Sequence, residues 1–281
     1  MSRALQRMID FLIEKGVHGL LVLGSNGESP FLTDAERRRV ITASVEACGG
    51  RVPVVVGTTY MGTDQTLELG AFSRDTGADA LLSALPVYYP LEAEDVFDHY
   101  RILSERLEMP ILYYNFPMAT HLTLSPEQIH RLSTIPNIRG VKESIPDLAE
   151  LAGLVELTRD TAFDVHTGTS INFFFALQCG AHGVICPIAN LIPDTLVSLW
   201  DAFHEGDMKK AEEERDKARR ELWERKGAVG GNGEALAREV KRLEERTMSL
   251  EKELDRALSE KEAIEDKAKK NEEELIALRL E

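Results

Sequence analysis

Short apolar runs alternate with amphipathic stretches along the first 226 residues. The runs are apolar throughout, which is typical of strands that are covered on both faces of a sheet. They lie at residues 19–24, 52–57, 79–86, 110–117, 138–144, 163–168 and 182–190. This pattern predicts seven strands, each followed by a helix, with an additional helix over residues 4–15 in front of them.

Local signals support the helices. Thr33 followed by Glu36 forms a capping box, which predicts a helix start at this point. Gly77 is placed to end the helix after the second strand. Residues 194–226 form one long amphipathic stretch, so the pattern predicts a single helix after the seventh strand.

Regular strand–helix repetition leaves two architectures: an open doubly wound sheet or a (β/α)8 barrel. A doubly wound sheet often carries a glycine-rich phosphate loop, and neither GxGxxG nor GxxxxGK[ST] occurs. A barrel needs eight strands and only seven are visible. The sequence therefore predicts an α/β chain of TIM-barrel type that lacks its first strand, with residues 1–226 as an incomplete barrel domain.

The remaining residues differ in pattern. Residues 227–233, GAVGGNG, hold four glycines and predict a flexible linker. Residues 234–281 repeat apolar positions with spacings of 4 and 3, which predicts a coiled coil. The positions on this seam are Leu236, Val240, Leu243, Thr247, Leu250, Leu254, Ala257, Lys261, Ile264, Ala268, Asn271, Leu275 and Leu278. We therefore expect a homo-oligomer or a separate coiled-coil partner; a single solvated helix is the alternative.

Composition and charge exclude several classes of function. The net charge of −15 and pI near 5.0 leave no basic footprint for nucleic acid. No apolar run is long enough to span a membrane. Three separate cysteines, without a CxxC pair or a signal peptide, favour a reduced compartment such as the cytoplasm. An organelle stays open because the amino terminus looks truncated. The histidine spacing predicts no metal site, and no cofactor is expected.

The candidate chemistry lies where the strands end, which is where barrels place reactive groups. Lys142 lies in an apolar strand, and a neutral buried amine is a nucleophile toward ketones. The alternative is a structural lysine that pairs with Glu143 or extends to solvent. Tyr114 is a candidate proton shuttle, or else a packed tyrosine. Ser25 and Asn26, on a glycine-flanked turn, are candidates to bind a carboxylate, although such residues also favour turns.

Five segments together resemble the dihydrodipicolinate synthase / N-acetylneuraminate lyase family of class I pyruvate aldolases, which are built on (β/α)8 barrels. They are GSNGE at 24–28, GADALLSALPVYYP at 77–90, YNFP at 114–117, GVKES at 140–144 and GVICPIAN at 183–190. Each segment alone is weak evidence for the family, but five segments in the same order at strand ends are specific evidence for it. The resemblance covers residues 4 to 214 and implies a 2-oxo acid substrate.

The resemblance also implies roles for individual residues. Lys142 matches the Schiff-base lysine, Tyr114 the proton relay, and Ser25 with Asn26 the pair that holds the pyruvyl carboxylate. Further substrate-binding positions are implied at Tyr89, Ser144, Gly168 and Ile185. Tyr89 matches a tyrosine that completes a relay across a subunit interface in some relatives, and Ile185 matches a residue whose carbonyl faces the lysine.

One departure bears on the reaction. Relatives that make dihydrodipicolinate carry an arginine two residues after the YN-P proline, where this chain has Ala119. The motifs GSNGE and K-x-S resemble the 4-hydroxy-2-oxoglutarate and 2-keto-3-deoxy-sugar-acid aldolases more closely. We therefore expect a lyase that releases pyruvate from such an acid. The alternatives are a synthase or dehydratase acting through the same imine, and a non-catalytic interaction protein that carries a damaged barrel.

Overall fold

The computed structural model describes residues 3–85 and 91–228, together with Arg256. All seven predicted strands are present and form one parallel sheet in chain order. The strands are β1 (Leu20–Val22), β2 (Val54–Gly57), β3 (Ala80–Ser83), β4 (Ile111–Asn115), β5 (Ile138–Glu143), β6 (Asp164–Thr167) and β7 (Gly183–Val184).

A helix precedes the sheet and at least one helix follows each strand, as the pattern predicts. The helices are α1 (Arg3–Glu14), α2 (Asp34–Cys48), α3 (Thr63–Thr76), α4 (Ala93–Leu107), α5 (Pro117–Thr120), α6 (Pro126–Leu132), α7 (Leu148–Thr158), α8 (Phe173–Gln178), α9 (Pro193–His204) and α10 (Met208–Ala228). The capping box of Thr33 and Glu36 is confirmed at the start of α2. Gly77 ends α3 in the left-handed conformation, with φ of 98°.

Two expected elements differ. The seventh strand has two residues, and the later part of the expected run instead forms a 3-10 turn over Pro187–Asn190, where Pro187 has no backbone donor for a strand pairing. The single helix expected over residues 194–226 is also wrong. It divides into α9 and α10 at Gly206, whose φ of +79° is left-handed and incompatible with a continuous helix.

The sheet has two unlike faces. Its outer face packs against the helices, and Ile111, Val141 and Val165 on this face are fully buried. Its inner face faces away from the helices, and apolar side chains there form a second cluster around Tyr114. Leu112 of this cluster is only half-buried.

The sheet does not close on itself within the described residues, since β1 pairs only with β2 and β7 only with β6. Helix α10 ends at Ala228, two residues into the expected linker. The rest of that linker and the predicted coiled coil lie outside the described residues, apart from Arg256. No helix within the described ranges is both long enough and apolar enough to cross a membrane.

Candidate active site

Lys142 is buried at the carboxyl end of β5. It aligns in the sheet with Tyr114 of β4 on one side and His166 of β6 on the other. Only 4% of the residue is exposed, and Nζ lies 4.3 Å from the centroid of the Tyr114 ring. The amine therefore lies on the inner face, against an aromatic π-system.

Neither structural arrangement considered for Lys142, pairing with Glu143 or extension to solvent, is present in the described residues. Successive side chains of a strand point to opposite faces, so Glu143 lies on the outer face. The Glu143 carboxylate accepts hydrogen bonds from Asn115 Nδ2 and from the Ile145 amide, each at 2.7 Å. Within the described ranges, no hydrogen bond or ion pair of the Lys142 ammonium is present, and its burial shows that it does not extend to solvent.

Tyr114 connects the lysine to the turn after β1. Its hydroxyl lies 3.2 Å from Ser25 Oγ, and its ring stacks on Phe116 with an interplanar angle of 3°. Ser25 and Asn26 occupy the 3-10 turn Ser25–Gly27, and both side chains are exposed. The structure thus links Ser25, Tyr114 and Lys142, whereas no hydrogen bond joins the Asn26 side chain to another described residue.

Ser144 and Gly168 meet at the ends of β5 and β6. The Ser144 amide donates to the Asn115 carbonyl at 3.0 Å, and the Gly168 amide donates to the Glu143 carbonyl at 2.5 Å. A Cβ at Gly168 would overlap the Ser144 hydroxyl and lie 3.1 Å from the Glu143 carbonyl oxygen, so a larger residue would force the Ser144 side chain to move.

Ile185 follows β7 and extends the pairing with β6, since its amide donates to the Thr167 carbonyl at 2.9 Å. The next residue, Cys186, lies close enough for the Lys142 charge to act on it. Burial raises the pKa of the Cys186 thiol, and this charge counteracts part of the effect. His166, beside Lys142, has its pKa lowered by burial. Tyr89 lies outside the described residues.

Sequence reasoning missed Phe116 as a neighbour of Tyr114 and Cys186 as a neighbour of Lys142. Phe116 lies two residues after Tyr114, so the period-two rule of strands points to the same face. Cys186 follows a strand of only two residues, and its position depends on the 3-10 turn, which no apolar pattern indicates. The part of the chain that the structure describes contains no cluster of three or more potential metal ligands.

A parallel α/β fold of TIM-barrel type with a buried lysine at a strand end is compatible with the class of enzymes that act on carbonyl substrates through an imine. The model of the dihydrodipicolinate synthetase family matches residues 1–224. The chain belongs to this family, which confirms the resemblance of its motifs. Its members are pyruvate-dependent lyases and synthases, so the hypothesis of an enzyme is confirmed.

Individual relatives support the same family assignment. The 4-hydroxy-tetrahydrodipicolinate synthase of Methanoculleus marisnigri is 36% identical over 208 residues, which cover 74% of this chain and 71% of that protein. Dihydrodipicolinate synthase of Thermotoga maritima has a TM-score of 0.74 at 32% identity, over 76% of this chain and 74% of that one. The Acinetobacter baumannii enzyme in complex with pyruvate has a TM-score of 0.75 at 28% identity, over 78% and 76%.

Proposed function

We propose that the protein is a Schiff-base aldolase that cleaves a 2-oxo acid, such as 4-hydroxy-2-oxoglutarate or a 2-keto-3-deoxy sugar acid, to pyruvate and an aldehyde. The observation that carries the proposal is the buried Lys142 amine beside the Tyr114 ring, with the Tyr114 hydroxyl bonded to Ser25. An amine without an anionic partner is free to react with a ketone once it is neutral.

The reaction follows from these positions. Lys142 Nζ attacks the C2 ketone, and the Tyr114 hydroxyl gives its proton to the oxygen that leaves as water, so that an iminium and a Tyr114 phenolate form. The phenolate takes the proton of the C4 hydroxyl as the C3–C4 bond breaks, and the bond electrons move to the iminium nitrogen. The aldehyde leaves, and Tyr114 returns this proton to C3 of the enamine. Water then hydrolyses the iminium, with its proton passing to the phenolate, and pyruvate and the free lysine are released.

Other residues bind the substrate in this proposal. Ser25 and Asn26 hold the pyruvyl carboxylate through their side chains and the amides of their turn. Gly168 leaves space for the Ser144 hydroxyl beside the imine. The family resemblance also assigns to the carbonyl of Ile185 a place facing the amine, and to Tyr89 a part in the proton relay.

The choice of second substrate rests on Ala119. It lies exposed in the short helix α5 that follows β4. The named relatives are dihydrodipicolinate synthases, and a synthase of that kind is the second candidate. An arginine–carboxylate hydrogen bond contributes about 1.5–3 kcal/mol, and alanine offers no such contact to the carboxylate of aspartate semialdehyde.

A substrate comparison tests the proposal. Pyruvate release from 4-hydroxy-2-oxoglutarate and from 2-keto-3-deoxy-gluconate is followed with a coupled lactate dehydrogenase assay. Synthesis from pyruvate and aspartate semialdehyde is measured in parallel. We expect cleavage to dominate and Ala119→Arg to raise the synthase activity roughly 10-fold or more, since about 1.4 kcal/mol is a factor of ten. Efficient synthesis by the unchanged protein would favour the second candidate.

The finer architecture is also a proposal. The seven strands correspond to a (β/α)8 barrel without its first strand, which the unpaired edges of β1 and β7 within the described residues support. The heptads of residues 234–281 would pair copies of the chain or bind a separate coiled-coil partner. Oligomerisation and the coiled coil both stay predictions. Sedimentation of the full chain measures its oligomeric state.

A further inference from the structure

A chain of buried polar groups lies on the outer face, directly behind the candidate site. The Tyr113 hydroxyl donates to Asn115 Oδ1 at 3.0 Å, and Asn115 Nδ2 donates to Glu143 Oε2 at 2.7 Å. Glu143 Oε1 accepts the Ile145 amide, also at 2.7 Å. Tyr113, Asn115 and Glu143 are all buried, so each of these bonds is shielded from water.

The position of this chain in the sheet links it to the site. Asn115 aligns with Glu143, one residue beyond the aligned pair Tyr114 and Lys142. The bond between Asn115 and Glu143 therefore crosses the same two strands as the contact between Tyr114 and Lys142, on the opposite face. The Gly168 amide also donates to the Glu143 carbonyl. Glu143 thus joins the ends of β4, β5 and β6 at the level of the amine.

The charge on Glu143 is poorly compensated. No cationic side chain forms an ion pair with it within the described ranges. Burial raises the pKa of Glu143 to about 7, the bonds from Asn115 and Ile145 oppose this rise, and the charge of Glu150 on α7 adds to it. Tyr113 is the other titratable group against it, and burial raises the pKa of Tyr113 as well. Glu143 consequently changes charge near neutral pH.

The two protonation states differ in what they can bind. An ionised carboxylate accepts from Ile145 and Asn115 at the same time, one bond on each oxygen. A protonated carboxyl carries a hydrogen on one oxygen. That oxygen accepts its hydrogen bond more weakly, and the new O–H has no acceptor unless the Asn115 amide turns over, together with the Tyr113 hydroxyl. Either change weakens or rearranges the link between the strands, which allows the end of β4 to shift against the end of β5.

We propose that Asn115 and Glu143 form a clamp that sets the position of Tyr114 relative to Lys142, with the ionised clamp as the form that supports proton transfer. Glu143 is a positioning residue, since its side chain lies on the face opposite the amine. The inference rests on the proposed Schiff-base function and adds a pH-dependent element to it. A shift of even a fraction of an ångström between reacting groups slows a reaction.

Exchange of the pyruvate methyl protons in D2O tests the clamp without knowledge of the second substrate. Proton NMR follows this exchange from pH 5.5 to 8.5, with borohydride trapping of the imine measured alongside. We expect the wild-type rate to rise through an inflection near pH 7. Glu143→Gln, which imitates the protonated state, should lack this inflection, match wild type below pH 6 and be roughly 10-fold slower at pH 8.

Two further variants separate positioning from stability. Thr158→Val removes the buried bond from Thr158 Oγ1 to the Leu154 carbonyl on α7 and leaves β4 and β5 untouched. If Thr158→Val lowers the stability as much as Glu143→Gln does, its exchange rate should still follow the wild-type pH profile. Glu150→Gln, at an exposed position, leaves burial as the main cause of the raised pKa of Glu143 but removes the smaller contribution of the Glu150 charge, and should move the inflection slightly to lower pH.

The outcomes distinguish failure of the clamp from failure of the Schiff-base function. Trapping and exchange in wild type, with the same pH profile in Glu143→Gln, would overturn the clamp and leave the Schiff-base function intact. A uniform loss at every pH, equal to that of Thr158→Val, would also overturn it. Absence of trapping and exchange in wild type would overturn the Schiff-base function and the clamp with it.

Discussion

The two faces of the sheet use similar apolar residues for different purposes. On the outer face, Ile111 and Val141 are fully buried beneath helices. On the inner face, Leu112 and Val55 are half-buried, whereas Leu82 is buried there together with Lys142 and Tyr114. The faces alternate residue by residue along β4 and β5. Stability therefore resides mainly on the outer face, and chemistry on the inner one.

The difference also explains how the fold accommodates an unpaired amine. Burial of a charged group costs free energy when no partner compensates it. The close-packed outer face supplies the stability that offsets this cost. On the outer face Tyr113, Asn115 and Glu143 are hydrogen-bonded to one another, whereas on the inner face the Lys142 ammonium lies against the Tyr114 ring and forms no hydrogen bond or ion pair within the described residues.

Neighbouring residues of β4 give the largest expected contrast. Ile111→Ala removes a fully buried side chain from the outer face, and we expect a loss of about 3–4 kcal/mol. Leu112→Ala removes a half-buried side chain of equal size from the inner face and should cost only about 1–2 kcal/mol. Urea unfolding of both variants measures the difference. Equal losses would show that the inner face is as closely packed as the outer one.

A smaller effect is expected from His99 in the outer layer. It is buried on α4, where Nδ1 lies 3.0 Å from Thr63 Oγ1 and Nε2 has no hydrogen-bond partner among the residues that the structure describes. Burial lowers the pKa of His99 from 6.5 to about 4. The unfolded chain therefore binds a proton below pH 6.5 that the folded chain accepts only below about pH 4. Stability due to His99 is complete above pH 6.5 and falls as the pH drops through this window.

His99→Gln isolates this contribution. We expect wild type to lose about 2 kcal/mol more than the variant between pH 8 and pH 5, measured by urea unfolding at both values. The comparison with the variant is needed because Glu143 acts in the opposite direction. Its raised pKa favours the folded state at low pH, and that stability is lost as the pH rises from 4.5 to about 7. Parallel pH profiles of the two proteins would contradict a buried neutral His99.

Sequence reasoning reached the strands and the central residues because both depend on local pattern. Lys142 in an apolar strand is conspicuous, and its burial is confirmed. The link between Ser25 and Tyr114 depends on two strands that are far apart in the chain, and only the sheet brings them together. The partner suggested for Lys142, Glu143, could have been excluded from alternation alone.

Other features have no local signal. The half-burial of Leu112 depends on what lies opposite in space, while its sequence environment matches that of buried Ile111. The division between α9 and α10 depends on the left-handed conformation of Gly206, which a helical pattern tolerates. The clamp requires the register of β4 and β5, because Asn115 and Glu143 are separated by a whole strand–helix unit.

Trapping of the pyruvate adduct tests the central claim most directly. The protein is incubated with pyruvate and sodium borohydride, digested, and its peptides are analysed by mass spectrometry. The account predicts a stable reduced adduct on Lys142, and none in Lys142→Met, which keeps an apolar side chain at the buried position. An adduct on a different lysine, or no adduct in the folded wild-type protein, would contradict the assignment of Lys142 as the nucleophile.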